Sequence, residues 1–160
     1  MQNLQLICVG KLKERFYIDA AAEYAKRLGP YCRMQITEIA EERLPRDPSP
    51  AQIEAALSRE ADAILSHVPP RSTLAALCVE GKLCSSQELA RFIGDWSLRG
   101  ERQLVFVIGG SYGLHPRVKD AARLRLSMSP MTFPHHLARV MLLEQLYRSF
   151  KILEGSSYHK

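Results

Sequence analysis

Apolar runs and helical periods alternate along this chain from its first residues. Leu4–Val9 is a short unbroken apolar run closed by Gly10, the pattern of a buried strand. Phe16–Leu28 switches to helical spacing and stops at Gly29-Pro30, and Met34–Ile39 alternates as a strand. Three prolines make ERLPRDPSP a loop, after which the alanine-rich stretch Ala51–Val68 predicts a helix closed by Pro69-Pro70. A strand at Leu74–Val79 follows, then a helix capped by Ser85 or Ser86 and running to Leu98, then a strand at Leu104–Ile108. A helix over His115–Arg123 with Pro116 near its start, a fifth strand at Leu124–Met128 and a long helix at His135–Leu153 complete the series. The alternation predicts an α/β fold, a mostly parallel sheet with helices on both faces. At 160 residues the chain suits a single domain, 1–160, with a real core.

The last helix carries two apolar stripes, Val140, Leu143, Tyr147 and Phe150 on one side and Leu142, Leu146 and Leu153 on another. Two stripes predict burial on more than one side, against its own sheet and against a second subunit. Glu144 and Arg148 are four apart and can pair. Arg139 and Arg148 point in opposite directions, which predicts that one serves the interface and the other a ligand.

Composition changes this picture little. With 46% hydrophobic and 24% charged residues it is that of an ordinary globular domain. No apolar run approaches the ~20 residues of a membrane span, and the N-terminus lacks a signal-peptide pattern, so a cytoplasmic protein is expected. The four cysteines show no CxxC; Cys8 and Cys78 fall inside apolar strands, where a thiol packs as a small hydrophobe. Charge matters more. The net +5 is uneven: basic against acidic residues number six to three over 1–33, three to seven over 34–70, and thirteen to seven over 71–160. An acidic middle between basic ends favours a polyanionic partner.

Candidate chemistry lies in the last third. IGGSYGLHP places Gly109, Gly110 and Gly113 at a strand end, where parallel sheets bind ligands, and glycine permits close backbone approach. Gly10-Lys11 after the first strand is not GxGxxG, IGGSYGLHP has no lysine after its glycines and is not a P-loop, and on these residues alone a plain strand-to-helix turn is the simpler reading. SPMTFPHH follows the fifth strand with two prolines restricting its backbone; its adjacent His135 and His136 diverge, so a metal site is not expected. The tail GSSYHK offers acid–base and stacking groups, yet by composition it reads as a frayed end unless Gly155 turns it back over a pocket. GxSxG is absent, and no cysteine has an evident histidine partner, which disfavours a hydrolase.

The run FVIGGSYGLHPRV, the segment LSMSPMTFPHHLARVMLLEQLYRSFKI, the terminal YHK and the opening LQLICVGKLK together resemble the SPOUT superfamily of methyltransferases. Within it the similarity is to the small bacterial branch that methylates N3 of a pseudouridine in large-subunit ribosomal RNA. The resemblance implies a C-terminal deep trefoil knot, a homodimer, S-adenosylmethionine as cofactor, and the large subunit or whole ribosome as substrate. By position it implies a cofactor pocket of Leu77, Gly109, Gly110, Ser129, Pro130, Met131, Thr132 and Phe133. His135, Arg148, Tyr158 and His159 then face the substrate base, some from the partner subunit. Where some members read GGPEG, this chain has Ser111-Tyr112, so the acidic residue between the glycines is missing. Two rival readings of the residues predict different behaviour: a non-catalytic RNA-binding or ribosome-assembly factor would bind no methyl donor, and an enzyme acting on a small nucleotide would need no RNA.

Overall fold

Five strands and five helices alternate as the apolar pattern predicts, in a computed structural model describing residues 1–160. They are β1 (Gln2–Val9), α1 (Arg15–Leu28), β2 (Cys32–Ile39), α2 (Pro50–Ser66), β3 (Ser72–Leu83), α3 (Ser86–Ser97), β4 (Gln103–Ile108), α4 (Pro116–Ala121), β5 (Leu124–Ser127) and α5 (His135–Leu153). All pairings are parallel, and the strand order is β2-β1-β4-β3-β5. The central strands β1 and β4 are apolar on both sides because both faces of the sheet are covered. Leu4, Leu6 and Cys8 of β1 and Leu104, Phe106 and Ile108 of β4 pack with α1, α3 and α5. The intervening Ile7, Val9, Val105 and Val107 pack with α2 and α4 on the other face. Such side chains, fully buried, each contribute about 1.5–3 kcal/mol.

Helix starts follow their caps. Ser49 accepts from the Gln52 amide (3.2 Å) while Gln52 Oε1 accepts from the Ser49 amide (2.8 Å), so α2 begins at Pro50, one residue before Ala51. Of the two serines offered as caps for α3, Ser85 is the one used, with Glu88 closing the reciprocal bond.

Two elements differ from the pattern. α4 is shorter than His115–Arg123: His115 is its cap, accepting from the Arg117 amide through Nδ1 (3.1 Å), and the Arg123 amide donates instead to the Leu74 carbonyl (2.8 Å). The sheet therefore takes the chain before the helix can complete another turn. β3 is longer than Leu74–Val79 because its register against β5 shifts: Leu126 pairs with Leu77 and again with Lys82. Gly81 permits this, since a Cβ there would lie 2.6 Å from the Arg125 carbonyl oxygen.

α5 packs between α1 and α3, burying Leu142, Leu143, Leu146 and Phe150, whereas Val140 and Tyr147 are half-buried and Leu153 is exposed. The expected division of labour between its arginines is corrected here. Arg139 is 4% exposed inside its own protomer, donating to Glu38 Oε2 (2.9 Å) and to the Gly10 carbonyl (3.0 Å). It ties the C-terminal ends of β1 and β2 to the helix, and it is too buried to serve an interface.

Candidate active site

The C-terminal ends of β3, β4 and β5 open onto a cleft of about 670 Å³, in the range of small-molecule sites. Leu77 ends the regular part of β3, Ile108 ends β4, and Leu126 and Met128 come from β5 and its exit. The glycine turn forms one wall. Gly113 has φ +79° and its amide donates to the Gly110 carbonyl (3.1 Å), closing the turn. Gly109 is pressed against the far side of the turn so closely that a Cβ would lie 2.5 Å from the Gly113 carbonyl oxygen. Opposite it, the Ser127 hydroxyl donates to the Ser129 carbonyl (3.1 Å) and Ser129 Oγ accepts from the Met131 amide (3.0 Å), fixing the loop.

Of the residues the resemblance places at a cofactor, Leu77, Gly109, Gly110, Ser129, Met131, Thr132 and Phe133 line this cleft. Pro130 is exposed and does not line it; its ring restrains the loop from outside. His135 lines the cleft where α5 starts, its ring edge-on to that of His136 with centroids 4.2 Å apart. Burial holds the His135 imidazole below its ordinary pKa, assisted by His136, so the neutral ring is favoured.

Arg148, Tyr158 and His159 also come together, but elsewhere. Arg148 donates to Glu144 through Nη2 (2.6 Å) and Nε (3.0 Å), and the Tyr158 hydroxyl donates to the same Oε1 (3.2 Å). The Arg148 guanidinium lies 4.8 Å from the Tyr158 ring centre, and Tyr158 meets Tyr147 edge-on at 5.0 Å. Arg148 Nη1 donates to His159 Nδ1 (3.3 Å), while His159 Nε2 lies 2.8 Å from the Gln87 carboxamide. The tail is thus folded against α5 and not frayed, because Gly155 at φ +74° reverses the chain. It does not cover its own cleft. Thirteen residues of helix, about 20 Å of axis, separate His135 from Arg148.

Three features were hidden in the sequence. Glu41, from the loop after β2, accepts from the amide (3.3 Å) and hydroxyl (3.2 Å) of Ser111, and a Cβ on Gly110 would fall 2.7 Å from the same oxygen. The acid absent between the glycines in sequence is therefore present in space, from a residue 70 positions away. Lys119 and Glu80 pair at the cleft wall. Cys78, expected inside a strand core, is only half-buried and lines the cleft, whereas Cys8 is buried with its thiol pushed up to about 12 by desolvation. No group of three or more His, Cys, Asp or Glu side chains is placed to hold a metal ion.

Over residues 2–159 the chain matches a family described as "Predicted SPOUT methyltransferase". It is 45% identical over 158 residues, 99% of each chain, to the Carboxydothermus hydrogenoformans protein named "Ribosomal RNA large subunit methyltransferase H". Its fold is similar to that of a methylase family protein from Haemophilus influenzae (TM-score 0.57, 15% identity, 99% of this chain and 71% of that one). A methylase family protein from Neisseria gonorrhoeae is similar at TM-score 0.56 and 18% identity, over 91% of this chain and 82% of the other. At these identities the two structures speak to fold alone.

Proposed function

The chain belongs to the SPOUT methyltransferase family, and from that premise we propose that it methylates N3 of a pseudouridine in large-subunit ribosomal RNA with S-adenosylmethionine as donor. The observation that carries the donor site is the cleft. Its apolar walls suit an aromatic base, and its glycine turn and Ser129–Phe133 loop bring backbone groups where a side chain would intrude. The name of the full-length relative supports the ribosomal substrate.

S-adenosylmethionine supplies a sulfonium-bound methyl group, electrophilic toward a nitrogen lone pair. The chain's own residues prepare that nitrogen. A uridine-type N3–H must lose its proton before the nitrogen attacks. Tyr158 is not suited to take it, because burial and then Glu144 push its phenol above the ordinary value. It stays protonated and can stack on or donate to the base. The acceptors are His159 in the tail and His135, whose ring burial keeps neutral. Arg148, held ionised by Glu144, faces the negative charge that spreads onto the flanking carbonyl oxygens. Fixing base and donor together accounts for a barrier reduction of about 7–11 kcal/mol.

The separation of about 20 Å between His135 and Arg148 supports a homodimer in which the tail of one subunit completes the cleft of the other. The family's trefoil knot belongs to the same reading, supported by the seating of α5 behind the strand ends that form the cleft. With 8910 Å² of total surface, a protomer has little area for gripping free RNA, which favours an assembled particle. No helix is long and apolar enough to cross a membrane, and a ribosomal substrate supports a cytoplasmic location.

The test is mass spectrometry of ribosomal RNA from cells lacking the gene. One pseudouridine should lose its N3 methyl group and regain it on complementation; an unchanged methylation pattern overturns the reading.

A further inference from the structure

The cleft has two ends of different chemistry. Among its lining residues only Glu80, Lys119 and His135 titrate as acids or bases near neutrality or carry fixed charge. His135 Nε2 and Glu41 each lie 3.8 Å from where a Cβ on Gly10 would stand, at the exits of β1 and β2, whereas Glu80 pairs with Lys119 beside the β3–β5 edge of the sheet. One end therefore carries a neutral imidazole, and the other a single cation beside a single anion.

Both charges at that second end are held by the backbone beneath them. Glu80 sits on the extension of β3 that Gly81 locks against β5, where the Arg125 carbonyl leaves no room for a Cβ. Lys119 is on α4, anchored by the fully buried Val118 and by the His115 cap, whose Nε2 donates to Glu54 (2.8 Å). The Arg125 Nε donates to the Lys119 carbonyl (3.0 Å), fixing the helix end to β5. Hydrogen bonding from Lys119 keeps the Glu80 carboxyl below its ordinary value, which favours the carboxylate. With side chains 24% and 59% exposed, this is a pair that water already reaches, and opening it is cheap.

We propose that Lys119 and Glu80 form the subsite for the amino-acid end of S-adenosylmethionine, Lys119 donating to the α-carboxylate and Glu80 accepting from the α-ammonium. The inference rests on the reading of the cleft as the methyl-donor site. A zwitterion presents one charge of each sign a few ångströms apart, and this end of the cleft offers the complementary two. Inserting it between them exchanges one water-exposed ion pair for two charge-assisted contacts. The apolar walls at Leu77, Ile108 and Leu126 would then be left to hold the base.

Calorimetry of three ligands with Lys119→Met and Glu80→Gln tests this. S-adenosylmethionine and S-adenosylhomocysteine carry the amino-acid end, whereas 5′-methylthioadenosine has the base, ribose and sulfur without it. Each variant should bind the first two on the order of tenfold more weakly, with 5′-methylthioadenosine bound as by the wild-type protein. That retained binding also shows that the variant cleft is folded. Equal weakening of all three ligands overturns the inference, since the pair would then only shape the cleft or hold the ribose. Unchanged affinity for S-adenosylmethionine overturns it as well. If the wild-type protein binds none of the three, the donor-site reading itself falls and the inference falls with it.

Discussion

At its N-terminal end α5 meets a cleft whose walls are mostly backbone: a closed glycine turn, a loop tied by two serine hydroxyls, and strand ends fixed by the sheet. At its C-terminal end it meets side chains that hold one another, with Glu144 gathering Arg148 and Tyr158, and Arg148 reaching His159. The walls of the first region all come from one chain and are shaped to receive something. The second is made of half-exposed, chemically active groups. A receptor for a small molecule needs rigid walls that a single fold can supply. A surface that engages a nucleotide within a large particle needs donors, cations and rings left partly free.

Deleting Ser156–Lys160 should separate the two regions most sharply. Turnover on ribosomes is expected to fall on the order of 100-fold or more, with S-adenosylmethionine affinity unchanged by calorimetry. Near-normal turnover in that truncation would remove the tail from the chemistry. Gly109→Ala strikes the other region: the new Cβ meets the Gly113 carbonyl at 2.5 Å, and neither backbone can yield. Donor affinity should weaken at least about tenfold and stability drop by about 1–3 kcal/mol in chemical denaturation. Normal donor binding in this variant would show that the turn is architecture only.

Arg139→Ala probes what lies between the regions. Glu38 is about a third exposed and regains water, so the cost should be about 1–2 kcal/mol, below that of a fully buried pair. Light scattering should show the same mass as for the wild-type protein; a smaller mass would place Arg139 at a subunit interface after all.

The smallest effect concerns pH. Burial depresses the folded-state pKa of His135 below its ordinary value of 6.5, so below that pH the unfolded chain binds a proton the folded chain refuses. Its contribution to stability is therefore whole above about 6.5 and declines as pH falls from there toward the folded value. His135→Gln should flatten the denaturation midpoint between pH 7.5 and 5 by comparison with the wild-type protein. An identical slope in both would mean that the ring is not desolvated.

Much of this was legible because local rules dominate it. The bounds of α5 coincide with His135–Leu153 because its Pro134 start and Gly155 stop are encoded within the segment. The Ser49 and Ser85 caps are similarly local. Eight of the cleft residues, His135 among them, came from a resemblance, and the residue patterns alone left a plain turn as the simpler account of Gly109 and Gly110. Glu41 and the Lys119–Glu80 pair were out of reach for a different reason. Each is a polar residue in a polar stretch, and only the strand order brings it to the cleft. The length of β3 was hidden likewise, since its last residues are exposed and owe their pairing to a register shift against a strand some 40 residues later. Arg139 shows the limit of periodicity: it gives the direction of a side chain correctly and says nothing of what waits there.

The bonds of Arg139 have a kinetic consequence. Its guanidinium caps the carbonyl of Gly10, 129 residues earlier, and pairs with Glu38, 101 residues earlier, while Tyr31 donates to Glu154 across 123. The first two strands can form early, but their exits and the apolar face of α1 stay open until α5 docks. Contacts of such sequence separation are slow to make, because a long stretch of chain must be ordered before any of them is rewarded. Refolding should therefore pass through a collapsed species with α5 undocked and apolar surface exposed, the species most open to aggregation.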